Sequence, residues 1–312
     1  MTPLHPVPPP IPTLINFATS PLPEYSSHYA LVIDNLFTPE ECACLLADAE
    51  REGGDWEEAQ VNVGGGKQMT MSDYRNSERI MWDSEEKAGW IMERVRPYLG
   101  LGCGTGSPCF VNGGKGGGGG VVADGGHDGT SGGENGGEGK GGIEEWISES
   151  AKKGKTEWVV TRLNERLRFL RYGPGQYFKK HCDGAYTTPN NTQTSFITLH
   201  MYLTGPTPES PPTFPSHNSL ANPTFFQKVS NAILQTSSPL SSTTSTTNAI
   251  RGGATRFWGV GLNHRSWMDV EPRVGRVLLF QHRGLVHSGE EVRGGVKVSV
   301  RTDLMYRKKE GV

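Results

Sequence analysis

Arg166-Leu-Arg-Phe-Leu-Arg-Tyr172, Phe196-Ile-Thr-Leu-His-Met-Tyr-Leu203 and Lys297-Val-Ser-Val-Arg301 decide how this chain is read. Each is a short, β-rich run bounded by turn residues. Ala254–Trp258, Ser266–Val270 and Arg276–His282 have the same character, and the strand holding Lys297–Arg301 is expected over Val296–Tyr306. Short strands at this spacing predict an antiparallel sandwich or a barrel-like jelly roll.

Two helices precede them. Tyr29–Phe37 is another β-rich run, and it stops at Thr38-Pro39-Glu40-Glu41. There Thr can cap a helix, Pro suits its first position and Glu41 completes a capping box. Cys42, Leu45, Leu46 and Ala49 then recur at helical spacing before Gly53-Gly54 closes the segment. A second helix is predicted from Asp83 or Ser84 to Leu99, with Pro97 disturbing its last turn. The fold class expected is α+β, mainly β, with these helices packed on one outer face of the jelly roll.

Composition sets the boundaries. Of 312 residues 42 are Gly and 21 are Pro, and only 34% are apolar or aromatic. Such a share of Gly and Pro implies segments outside the core. Residues 1–28 read as a Pro-rich disordered arm. One domain is expected over 29–307, interrupted by a Gly-rich insertion at 102–145 and a Ser/Thr/Pro-rich one at 204–249. A net charge of −2 argues against a nucleic-acid backbone as partner. No apolar run is long enough for a membrane span. The N-terminus lacks a signal-peptide pattern, and five irregularly placed cysteines fit reduced thiols, so a cytoplasmic or nuclear protein is expected.

The chemistry concentrates in the strand-rich part. His181-Cys182-Asp183 puts an imidazole and a carboxylate on one face of an extended chain. By itself His-x-Asp arises by chance roughly 0.3 times in such a chain. A further His, His287, follows the apolar run Val277–Phe280, with His282 as its rival. Two His and one carboxylate are the ligand set of a facial triad, which leaves sites open on non-haem Fe(II). Lys297 stands ten residues past His287. It shares a strand face with Ser299 and Arg301, so two cations are offered to an anionic ligand beside the metal. His200 shares the face of Tyr202 and is read as a core histidine. Gly252-Gly253 is read as a bend or bulge, and Cys182 is given no role.

Taken in order, several stretches resemble a known family. These are Arg171-Tyr172-Gly-Pro-Gly-Gln-Tyr-Phe178-Lys-Lys-His181-Cys-Asp183, Thr198-Leu-His-Met-Tyr202-Leu203, Gly252-Gly253-Ala-Thr255-Arg-Phe257, and Pro272 to Phe280 followed by His287-Ser-Gly. Together they resemble the 2-oxoglutarate- and Fe(II)-dependent dioxygenases of the prolyl 4-hydroxylase catalytic-domain type. The resemblance reaches upstream to Val32–Glu41 and Tyr74–Arg79, and covers roughly residues 29–99 and 157–307. It implies a double-stranded β-helix in which His181, Asp183 and His287 hold Fe(II), with 2-oxoglutarate and O2 at the open positions and ascorbate as a further cofactor. The family spacing of ten residues between the distal His and a basic residue selects His287 over His282. Lys297 would pair with the distal carboxylate of 2-oxoglutarate, and Tyr172 and Tyr202 would hydrogen-bond the co-substrate. The implied activity is hydroxylation of a substrate C–H, with a peptidyl proline as the leading substrate. A small molecule or another protein side chain is the alternative, and a non-catalytic metal-binding interaction module is the rival of another class.

Three departures stand out. Thr204 replaces an Asn common in relatives, Ala254 replaces an acidic residue, and Arg301 adds a second cation. Whether Lys297 or Arg301 grips the carboxylate is left open by the sequence.

Overall fold

The computed structural model describes residues 8–62, 67–100, 158–206, 216–217 and 250–308. Before the first expected insertion the strands are β1 (Ile11–Leu14), β2 (Ala30–Asp34), β3 (Glu57–Glu58), β4 (Val61–Asn62), β5 (Gln68–Met69), β6 (Arg75–Asn76) and β7 (Glu78–Asp83). Then come β8 (Trp158–Leu163), β9 (Arg166–Tyr172), β10 (Tyr177–His181), β11 (Gln193–Tyr202) and β12 (Ser216–His217). The last part holds β13 (Arg251–Gly252), β14 (Thr255–Trp258), β15 (Trp267–Val270), β16 (Val277–Gln281), β17 (His287–Gly289), β18 (Val292–Gly294) and β19 (Lys297–Lys308). Two helices, α1 (Pro39–Glu52) and α2 (Glu85–Val95), complete the frame.

Eight of these strands are shared four and four between two sheets, with β14 and β15 consecutive in the minor one. The major sheet runs β1-β2-β16-β11-β19-β9-β7-β3, with β8 also on β19; the minor sheet runs β12-β15-β14-β17-β10-β6. Following β9, β10, β11, β14, β15, β16, β17 and β19 along the chain gives the order of a double-stranded β-helix. Every pairing is antiparallel. The expected jelly roll is therefore the observed fold, with strand ends within a few residues of the sequence reading.

Alternation along β11 explains how a cavity forms between the sheets. Leu199 and Met201 point outward into a core shared with Cys42, Leu45 and Ala49 of α1 and Ile91 and Val95 of α2. On the other face Thr198, His200 and Tyr202 point inward toward the minor sheet, because successive strand side chains alternate. Thr38 caps α1 as the sequence predicts: the Glu41 amide donates to Thr38 Oγ1 at 3.1 Å and the Thr38 amide donates to Glu41 Oε2 at 2.8 Å. Helix α2 gives way to a 3-10 turn at Arg96–Tyr98. Pro97 has no N–H to continue the ladder there. Gly252 and Gly253 both adopt positive φ, 74° and 76°, at a register shift between β13 and β18, so the expected bulge is present.

The N-terminal arm needs correction. Residues 8–28 do not form a free arm: β1 pairs with β2, and Phe17, Leu22 and Tyr25 are buried. Phe17 meets Phe257 edge-on at 5.9 Å between ring centres, and the Tyr25 hydroxyl donates to the Trp258 carbonyl at 2.8 Å. Proline does not prevent this, since Pro12 sits on an edge strand whose missing N–H faces away from the ladder. The expected insertion at 102–145 lies outside the described residues, as do residues 207–215 and 218–249 of the second.

Candidate metal centre and co-substrate cavity

His181 ends β10 and His287 begins β17, and these strands pair directly, with His181 opposite His287. Asp183 follows β10 two residues on. The three residues form one group whose ligand atoms all lie within 4.8 Å of one another. His181 Nε2 is 3.7 Å from Asp183 Oδ1, and His287 Nε2 is 3.7 Å from Asp183 Oδ2. Each imidazole contacts a backbone carbonyl through Nδ1, His181 with Lys179 at 2.8 Å and His287 with Leu285 at 3.1 Å. With the proton on Nδ1, that contact orients the ring and leaves the Nε2 lone pair free.

The electrostatics keep the group ready for a cation. Burial, reinforced by neighbouring His287, lowers the His181 pKa to about 3. Burial also lowers that of His287, so both rings are neutral at pH 7. Burial alone would raise Asp183, but the Arg301 guanidinium beside it holds its carboxyl well below the usual range. Thr198 Oγ1 donates to Asp183 Oδ2 at 2.6 Å and Arg301 Nη2 lies 3.1 Å from Oδ1. Two neutral imidazoles and one oriented carboxylate on one side of an open space suit an octahedral divalent ion with free positions. These residues fit Fe(II).

A cavity opens from this group, lined among others by Arg75, Tyr172, Phe178, His200, Thr255, Lys297 and Arg301. Lys297 heads β19 opposite Tyr172. Its ammonium lies 5.3 Å from the centre of the Tyr172 ring and 5.5 Å from that of Tyr202. It is buried, and among the described residues it has no hydrogen bond or ion pair. Burial lowers its pKa to about 8, with Glu271 and Glu290 acting in the opposite sense. A buried cation that makes no ion pair among the described residues is costly.

The other predicted residues are placed differently. Arg301 lines the cavity, yet its guanidinium is engaged by Asp183 and, at 3.6 Å, by Asp303. Tyr172 lines the wall. Tyr202 lies behind it: the phenol donates to Thr255 Oγ1 at 2.7 Å, so the ring flanks Lys297 while the hydroxyl is already used. His282 is buried 3.3 Å from Asp303 Oδ1 and stands outside the triad. Arg75, Thr198 and His200 were missed as site residues. Thr198 and His200 share the inward face of β11 with Tyr202, a signal that was available; Arg75 enters from a two-residue strand whose position no periodicity reports.

No known family profile and no curated protein matches this chain. Solved structures similar to it include a prolyl-4-hydroxylase from Pseudomonas putida, 12% identical over 92% of this chain and 96% of the other, TM-score 0.40. A second is the viral collagen prolyl hydroxylase of Paramecium bursaria Chlorella virus-1 with 2-oxoglutarate, 13% identical over 89% and 96%, TM-score 0.37. A third is a prolyl hydroxylase from Trichoplax adhaerens in complex with a peptide fragment of hypoxia inducible factor, 11% identical over 89% and 83%, TM-score 0.42. At these identities and scores the likeness is loose, and the chemistry of the site rests on its own geometry.

Proposed function

We propose that this protein is a 2-oxoglutarate- and Fe(II)-dependent dioxygenase that hydroxylates a substrate C–H. The observation that carries the reading is the buried Lys297 ammonium, without an ion pair among the described residues, at the wall of a cavity whose other end is a His-Asp-His group. A simple metal-binding module has no use for that cation. A dicarboxylate spanning from the metal to Lys297 does, because the ammonium supplies a charge-assisted contact to its far carboxylate. His181, Asp183 and His287 would hold the iron, which supplies the activation of O2 coupled to oxidative decarboxylation of 2-oxoglutarate to succinate and CO2. Lys297 and Tyr172 orient the co-substrate, Thr198 and Arg301 orient Asp183, and Phe178 and Phe280 keep the wall apolar.

Arg301 is read as a partner of the metal-ligating carboxylate, since its charge is already shared between Asp183 and Asp303. Peptidyl proline is the leading substrate on the strength of the sequence resemblance, and ascorbate is proposed on the same ground. Succinate release from 2-oxoglutarate with added Fe(II), measured with and without proline-containing peptides, tests both levels. Peptide-independent succinate formation supports the chemistry, and its stimulation by a peptide supports the substrate. Absence of any succinate under either condition would sink the reading.

Lys297 gives that experiment a second handle. Lys297→Ala removes a charge-assisted contact of ~1.5–3 kcal/mol, so the apparent constant for 2-oxoglutarate should rise by roughly one to two orders of magnitude. Arg301→Ala should change it less. The lowered pKa sets the pH dependence: the ammonium is charged below about 8 and loses its proton above it. Tyr172 from β9, His200 and Tyr202 from β11, Glu271 after β15 and Glu290 after β17 are the titratable groups facing it. Affinity for 2-oxoglutarate should be flat toward neutral pH and weaken above about pH 8, by about ten-fold per further unit. Lys297→Arg should abolish the decline, because guanidinium does not titrate there. Equal alkaline limbs in both proteins would place the titration elsewhere.

A further inference from the structure

Along the inner face of β11, Thr198 bonds the metal-ligating carboxylate and Tyr202 flanks Lys297; His200 stands between them. Its ring is buried, lines the cavity and lies 4.8 Å from the ring of Tyr202. Its Nε2 has no hydrogen-bond partner among the described residues. On the neighbouring strand β19, Arg301 sits opposite His200 and Ser299 opposite Tyr202. Ser299 Oγ and Arg301 Nε are likewise buried without a partner. Three unsatisfied polar atoms on two adjacent strands, beside an unpaired ammonium, form one patch. Protein interiors rarely tolerate even one such atom, since leaving it unpaired forfeits the hydrogen bond that water supplied. An apolar residue would pack at position 200 without that cost, so a ligand is the natural partner.

We propose that His200 is a further co-substrate-binding residue, hydrogen-bonding the distal carboxylate of the dicarboxylate that Lys297 neutralises. The assignment rests on the dioxygenase reading above and extends it to a residue that makes the cavity selective for a diacid. Burial, with Lys297 and Arg301 close by, pushes the imidazole pKa well below its ordinary value, so the ring is neutral and offers one N–H. A neutral donor suits a carboxylate already paired with an ammonium, because it adds a directed contact without bringing another like charge beside Lys297. The metal end of the cavity is served by Thr198 and Arg301, which leaves the Lys297 end for His200.

The test compares binding of 2-oxoglutarate with that of 2-oxopentanoate, which has the same chain length and no distal carboxylate, to the full-length protein loaded with Mn(II). Calorimetry on wild type, His200→Leu and His200→Gln should show 2-oxoglutarate weakened roughly ten-fold by leucine and largely restored by glutamine. Binding of 2-oxopentanoate should be unchanged in all three. The melting temperature of His200→Leu should not fall, since the substitution removes an orphaned buried nitrogen. Should His200→Leu melt earlier and lose both acids equally, the residue is a packing element and the assignment is overturned. Undiminished 2-oxoglutarate binding by His200→Leu overturns it too, while leaving the dioxygenase reading intact. A wild-type protein that binds neither acid overturns both.

Discussion

Replacing Asp183 by alanine is expected to abolish metal-dependent turnover. The carboxylate is the only anionic member of the His181–Asp183–His287 group. Both of its oxygens are committed, one toward His181 and Arg301 and the other toward His287 and Thr198. Without it two neutral imidazoles face a divalent ion beside an uncompensated guanidinium, and both coordination and charge balance fail. A metal supplies several kcal/mol of stabilisation to such reactions, so succinate formation should drop ~1,000-fold or more. Metal content after dialysis should fall with it. His181→Ala and His287→Ala should behave alike, whereas His282→Ala should keep its metal, because that ring lies against Asp303 outside the group. Unfolding measured in the presence of a chelator separates lost ligation from lost folding. Full metal occupancy in Asp183→Ala would remove the carboxylate from the ligand set.

The largest expected effect on stability lies in a buried ion pair that is not part of the cavity lining. Arg276, at the turn into β16, places Nε 2.7 Å from Asp34 Oδ1 and Nη2 2.9 Å from Oδ2, and Nη1 donates to the Glu271 carbonyl at 2.8 Å. Arg276 is 1% exposed and Asp34 is fully buried. Removing one partner strands the other charge in the interior, and Arg276→Ala should cost about 3–5 kcal/mol. Set against a typical domain stability of about 5–15 kcal/mol, the variant should unfold at much lower urea, with an unchanged slope. A double replacement, Asp34→Leu with Arg276→Met, should recover most of the loss, because apolar residues of similar volume need no compensation. A loss under about 1 kcal/mol in the single variant would mean that water reaches the pair and screens it.

How much of this was legible from the chain alone depends on the range of the interaction that writes each feature. The capped helix at Thr38–Glu52, the alternation in 196–203 and the turn-bounded strands from 254 onward are local. Their periods and caps are carried by residues within a few positions of one another, so the jelly roll could be read. The same holds for His181 and Asp183, two residues apart on an extended chain. His287 was reachable because its strand and the ten-residue step to Lys297 are local too, and pairing of β10 with β17 then brings the two histidines together.

Other features are written by residues far apart. Residues 11–25 look like an arm by composition, yet an edge strand on β2 and contacts of Phe17 and Tyr25 with Phe257 and Trp258, more than two hundred residues away, hold them in place. No pattern within the segment reports that. The partners of the two cations are set in the same way. Alternation puts Lys297 and Arg301 on one face of β19 but is silent on which meets an anion. Asp183 arrives from the minor sheet to engage Arg301, while Lys297 lies between the rings of Tyr172 and Tyr202 and, among the described residues, makes no ion pair. Chain spacing sets which face a charge occupies; its counter-ion is set by the packing of one sheet against the other, because electrostatic pairing depends on distance through space and burial rather than on separation along the chain.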